Sequence, residues 1–156
     1  MMKNELLDAA RRTLAATGKR TRYVDIRRAI SDTYYALFHA LAQTGADELI
    51  GANRRSTEAW LKTYRALDHS QAKKGLQKAS GLKDVETQLT DFAFAFSRLQ
   101  DLRHESDYNP RPPEFNRADA LALVDEEEAA ITGLDGLDLF RKREIAVLVL
   151  FRERAK

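Results

Sequence analysis

Arg103, His104, Asp107 and Tyr108 bring a guanidinium, an imidazole, a carboxylate and a phenol into one short stretch. They close the segment VETQLTDFAFAFSRLQDLRHESDY, residues 85–108, just before the breaker Asn109-Pro110. At about 100° per residue, Val85, Leu89, Phe92, Phe96 and Leu99 fall on one apolar stripe, and Arg103 is next along it. An arginine on a core-facing line must find an anion, because losing its hydration unpaired costs several kcal/mol. Asp107, one turn later, is the nearest candidate. Helix arithmetic places Asp107 at about 40° from Arg103, His104 at about 100° and Tyr108 at about 140°, one contiguous face. Phe94 points away from the stripe, so this helix is expected to bury two sides, one against its own bundle and one against something else.

A second long helix must face this one. Residues 22–44 carry Tyr23, Ile26, Ile30, Tyr34, Leu37 and Leu41 at spacings of three and four, the pattern of an amphipathic helix, with Gly45 as its expected end. Beside that stripe runs a polar line of Arg28, Asp32, Tyr35 and His39. Two readings of the line stand. It can be ion pairing along one helix with a hydrogen-bonded tyrosine, or it can face the Arg103 cluster across the helix pair.

The remaining segments read as shorter helices. Asn4 is the expected N-cap of the first, with Leu6, Leu7, Ala10 and Leu14 inward and Gly18 as its stop. Residues 46–51 read as a loop and 53–67 as a helix with Trp60, Leu61, Tyr64 and Leu67 inward. Asp68-His69-Ser70 reads as a turn and N-cap for a short basic helix over 71–80. Lys83-Asp84 is expected to cap the central helix. Asn109-Pro110-Arg111-Pro112-Pro113 is a rigid break, since prolines in this density cannot continue a helix. Asn116 then caps a helix through Thr132, whose run Asp125-Glu126-Glu127-Glu128 is expected to be a solvated face. Residues 145–151 are apolar on all sides between basic clusters; periodicity alone does not separate helix from buried strand there. The domain is expected to span residues 1–132, with 133–156 an extension and a candidate oligomer contact.

Composition bounds the function. At 156 residues the chain can bury a substantial core as one domain. It has no cysteine and three dispersed histidines, so neither disulfides nor a metal centre is expected. The first twenty residues are charged throughout and no window approaches a membrane span, so a cytoplasmic protein with no membrane contact is expected. The net charge of +2 hides an uneven distribution. Residues 53–83 hold eight Lys/Arg against two Asp/Glu, residues 84–138 four against fourteen, and residues 139–156 six against two. The basic block can meet a phosphate backbone or balance an acidic neighbour. There is no phosphate-loop glycine pattern and no Gly-x-Ser-x-Gly.

Two segments together resemble a known family. DIRRAISDTYYALFHALAQ and LQDLRHESDYNP are similar to the corresponding segments of HEPN domains, the higher eukaryotes and prokaryotes nucleotide-binding group. The closest match is to stand-alone bacterial members with Tyr-Tyr-Ala-x-Phe-His and a terminal Leu-Arg-x-x-(Ala/Ser)-Asp-Tyr. The resemblance runs from Met1 to about Ile131. It implies an all-α antiparallel bundle of about six or seven helices, usually a homodimer with a cleft between protomers; here an extra C-terminal segment follows. Active ribonuclease members carry Arg, a polar residue, three more residues and His. They cleave RNA without metal or cofactor, leaving a 2′,3′-cyclic phosphate. On that pattern Arg103 matches the arginine, His104 the polar position, and Tyr108 stands where the histidine belongs. A looser spacing pairs Arg98 with His104, but Arg98 lies about 220° from Arg103, off the shared face.

The tyrosine bears on the chemistry. Histidine titrates near neutrality and can take a proton from a 2′-OH. Tyrosine, with an ordinary pKa near 10, is a poor base. Arg103 can still clamp a phosphate, with Asp107, Asp32, Tyr35 and His39 in support and His104 in reserve as the base. Three readings follow. One is a metal-independent endoribonuclease, as in a toxin–antitoxin pair. Another is a non-catalytic RNA- or nucleotide-binding module, or the partner of a nucleotidyltransferase antitoxin that modifies Tyr108. The last is an Arg103–Asp107 ion pair that only holds a helical dimer together.

Overall fold

The helical periods of the sequence become helices. The computed structural model describes residues 1–16, 22–111 and 114–155. Among these are seven α-helices, a short 3-10 turn at Ala52–Arg54 and no strand. In chain order they are α1 (Met2–Ala15), α2 (Tyr23–Leu49), α3 (Glu58–Arg65), α4 (His69–Ser80), α5 (Thr87–Tyr108), α6 (Arg117–Asp135) and α7 (Leu139–Leu150). The fold is all-α, as expected. Gly18, Pro112 and Pro113 lie outside the described residues.

The chain makes two compact units, one from Met1–His39 and Ala95–Ile131, the other from Ala40–Phe94 and Thr132–Lys156. In the first, Leu7, Ala10 and Leu14 of α1, Ile26, Ile30, Tyr34 and Leu37 of α2, and Phe96 and Leu99 of α5 are buried. Tyr23, placed on the same stripe by periodicity, is 55% exposed because it opens the helix. Asn4 is not a cap: α1 begins at Met2. Asn116 does cap α6, accepting from Asp119 N at 2.8 Å while the Asp119 carboxylate accepts from Asn116 N at 3.1 Å.

The acidic run of α6 is not a plain solvated face. Asp125 and Glu128 both hold Arg11 of α1, at 2.8 and 2.5 Å, and Glu126 lies 3.3 Å from Arg98 of α5. Glu127 is buried on the α6 core stripe with Leu123, Val124 and Ile131, and its Oε2 has no hydrogen-bond partner among the described residues. Burial pushes this carboxyl up to about 7 from 4.5, with Glu126 adding to the shift and Arg98 opposing it.

In the second unit the tail resolves as helix. Its Ile145, Ala146 and Val149 are buried, and α7 packs on α4, which turns Ala72, Gly75, Leu76 and Ala79 inward. Leu139, Phe140, Val147 and Phe151 stay exposed. The approach depends on Gly75, where an added Cβ would run into the Leu148 carbonyl and lie 2.7 Å from Val149 Cα. The second helix does not stop at Gly45 but runs on to Leu49. A Cβ at Gly45 would sit 2.9 Å from Leu150 Cδ1, the far end of a side chain that can rotate away. The third helix starts late, at Glu58, capped by Thr57. Asp68 caps α4, accepting from Gln71 N at 2.8 Å, so that helix includes His69 and Ser70. The central helix starts at Thr87, not Val85, after Asp84 takes a positive φ of 54°. Arg141 of α7 secures that start through Glu86 at 3.0 Å and the Lys83 and Asp84 carbonyls at 3.2 and 3.3 Å. Phe94, on the side expected to meet something other than its own bundle, is 68% exposed on this chain.

Two consequences are measurable. Gly75→Ala is expected to cost about 3 kcal/mol in urea denaturation, since the obstruction is backbone and cannot rotate away. Glu127 holds its proton more tightly folded than unfolded, so its contribution to stability falls as pH rises from about 4.5 through about 7. Glu127→Gln is therefore expected to gain up to about 3 kcal/mol at pH 8 and little at pH 5; an equal effect at both values would contradict this.

Candidate functional site

Arg103 does find partners on α2, though they are aromatic faces more than an anion. Its guanidinium carbon lies 4.9 Å from the Tyr35 ring centroid and 5.4 Å from that of Tyr34. The electron-rich ring faces attract the cation while covering it from water. The stripe on α5 explains the placement: Phe96 and Leu99 are buried, and one turn further the same line reaches Arg103 where the two tyrosines stand. Asp107 Oδ2 is 3.5 Å from Arg103 Nε, close enough for an ion pair, yet this buried Nε makes no hydrogen bond among the described residues. A buried donor left unmet is uncommon and carries a desolvation cost of about 1–3 kcal/mol.

The tyrosines are held from behind. The Tyr34 ring meets Tyr35 edge-on at 5.5 Å and Phe96 at 5.4 Å, and its hydroxyl accepts a long 3.5 Å hydrogen bond from Gln100 Nε2. Burial pushes the Tyr34 hydroxyl well above its ordinary value, against the opposing charge of Arg103, so it stays protonated. Tyr35 continues to His39 at 6.4 Å between ring centroids. Burial lowers the His39 imidazole below its ordinary value, which keeps it neutral at pH 7.

His104 and Tyr108 form the outer edge. Their rings meet at a tilt, 4.7 Å apart and at 46°; both are exposed, and Tyr108 is 76% accessible. The cluster thus grades from a half-buried guanidinium to an open imidazole and phenol. Just beyond it, Arg27 Nη2 donates to the Asn109 and Arg111 carbonyls at 2.7 and 3.0 Å. Asn109 Oδ1 accepts from Arg111 N at 2.9 Å, and its amide donates to Glu105. These bonds fix where the chain leaves α5, directly after Tyr108.

Of the residues singled out by sequence, Arg103, Asp107 and Tyr35 meet, and His104 and Tyr108 pair beside them. Asp32 does not join: among the described residues it interacts with Arg28 on its own helix, and burial raises its carboxyl above the ordinary value. Arg98 is turned to Glu126, away from His104. Tyr34 stands out in the sequence only as a core position and as part of the Tyr-Tyr-Ala-x-Phe-His segment, and Gln100 not at all. Arg27 gives no signal because its partners are backbone carbonyls 82 and 84 residues away. A groove of about 390 Å³ between Ile30, Leu102, Ser106 and Phe115 lies on the other side of α5 and is lined by none of the four motif residues. Among the described residues no group of His, Asp or Glu is arranged to hold a metal ion, and no helix is long and apolar enough to cross a membrane.

No protein-family model, curated protein or solved structure matches the chain.

The half-exposed setting sets what Arg103 is worth to the fold. With side-chain exposures of 29% and 39%, the Arg103–Asp107 pair is screened by water, and the ring contacts contribute on the order of 1 kcal/mol. Arg103→Met, which keeps the stem packing, is expected to stay folded and lose no more than about 1 kcal/mol by thermal denaturation. A loss above about 3 kcal/mol would assign the residue to the core.

Proposed function

We propose that this chain is a HEPN-type RNA-binding protein and that its Arg103 cluster cleaves RNA without metal. The observation that carries the reading is the guanidinium itself. It is oriented by two tyrosine rings, carries an unmet Nε donor, and has only a loose carboxylate neighbour. Such a group gains more from a bidentate phosphate than from Asp107 at 3.5 Å. His104, one residue on and open to solvent, takes the proton of a ribose 2′-OH. The 2′ oxygen attacks the adjacent phosphorus, the P–O5′ bond breaks, and the 5′ oxygen leaves with a proton from solvent. The products are a 2′,3′-cyclic phosphate and a 5′-hydroxyl end. A second copy of the chain encloses the open side of the cluster, which supplies the groove that one exposed helix end lacks.

The exposure of Tyr108 favours a second reading. A phenol 76% accessible at the end of a fixed helix is a ready target for a nucleotidyltransferase, which would block the cluster by modifying it. The two readings are compatible, the second regulating the first.

Incubation of the purified protein with RNA in EDTA tests the proposal. Cleavage to cyclic-phosphate ends is expected, with a loss of at least about 100-fold in Arg103→Ala and in His104→Ala. Asp107→Asn is expected to tighten RNA binding by freeing the guanidinium. Absence of cleavage, or cleavage unchanged in Arg103→Ala, removes the catalytic reading. Coexpression with a transferase, followed by a mass shift on Tyr108 that is absent in Tyr108→Phe, supports the second.

A further inference from the structure

We infer that the second unit carries its own RNA-backbone site, in the groove between the outer face of α4 and the C-terminal tail. The groove has a volume of about 550 Å³. Along α4 it presents Lys74, Gln77 and Lys78, while the opposite face of the helix is spent on packing against α7. Side chains three and four apart stand about 5–6 Å apart at Cβ, so the two lysines can serve neighbouring phosphates. The far wall is Arg152 and Glu153.

The arrangement of charges favours a polyanion. Three of the lining side chains are cations and one is an acid. Lys74 makes no ion pair among the described residues. Lys78 is held by Glu153, and Arg152 by Asp68 at 2.5 Å. Gln71 Nε2 donates to the Leu148 and Phe151 carbonyls at 3.1 and 3.3 Å, which ties the tail alongside. Glu153 is the only carboxylate lining the groove among the described residues and stands on an exposed tail, so an incoming phosphate competes with it for Lys78. No aromatic side chain lines the groove among the described residues. Without a ring for bases to stack on, the site reads charge and not sequence.

This site shares no residue with the Arg103 cluster and does not rest on cleavage. The test uses a fluorescein-labelled, fully 2′-O-methylated oligo(U) of about twelve nucleotides, which cannot be cleaved, with binding followed by polarisation between about 50 and 200 mM KCl. Removing one lysine–phosphate pair makes the dependence of log K on log salt shallower by about 0.7. Lys74→Gln/Lys78→Gln is expected to flatten it by about twice that, in both the native chain and Arg103→Ala. Glu153→Gln is expected to tighten binding, and Lys62→Gln, a cation outside the groove, to leave the slope unchanged. Oligo(A) is expected to bind as well as oligo(U). The inference is overturned if the double variant binds as the native chain does, if Lys62→Gln matches its loss, or if the chain binds phosphatidylserine vesicles and no RNA. A chain that binds RNA through these lysines but never cleaves it refutes the catalytic proposal and supports this one.

Discussion

The contact between the Arg103 guanidinium and the two tyrosine rings of α2 is the constraint on which the first unit's site depends. It joins residues nearly seventy positions apart in sequence and fixes a charge at the boundary between core and water. The rings accept the cation's face without consuming its hydrogen-bond donors, which an ion pair would do. A buried carboxylate in place of Tyr35 would hold the arginine harder and leave nothing for a ligand. The aromatic platform leaves the guanidinium oriented but unsaturated.

Around this contact the structure keeps the remaining groups in order of exposure. Tyr34 and His39 are kept neutral by burial, so they shape the site without adding charge. His104 and Tyr108 lie outward on the same helix face. Arg27 fixes the exit of α5 by gripping two backbone carbonyls, so the last helical turn is held at both ends. The second unit solves a different problem. Gly75 lets α7 approach α4 closely enough to bury Ile145, Ala146 and Val149. That packing turns the polar face of α4 outward, and Gln71 ties the tail beside it.

Much of this is legible in the sequence, and the exceptions share a cause. The stripes of α2 and α5 announce the helices and most of the core, because burial follows the 3.6-residue period. Arg103 stands out because it breaks such a stripe. Tyr34 does not, since a tyrosine in a stripe looks like any core aromatic until its ring is seen beneath a cation. Gly45 reads as a stop, yet the helix runs through it to Leu49. Glu127 reads as one of four surface acids, although position on the stripe, and not residue type, decides its burial. The acids flanking it meet Arg11 and Arg98, partners that no local pattern reveals. The structure brings residues of two segments far apart in the chain together at Arg103, Tyr34 and Tyr35.

We propose that Arg103 holds its donors ready for a phosphate. Nuclear magnetic resonance of the arginine Nε–H groups reads this directly, during titration with a 2′-O-methylated dinucleotide. The Arg103 signal, identified by its absence in Arg103→Lys, is expected to shift saturably and before any other arginine. An Arg103 signal that stays in place while the dinucleotide binds elsewhere would contradict it.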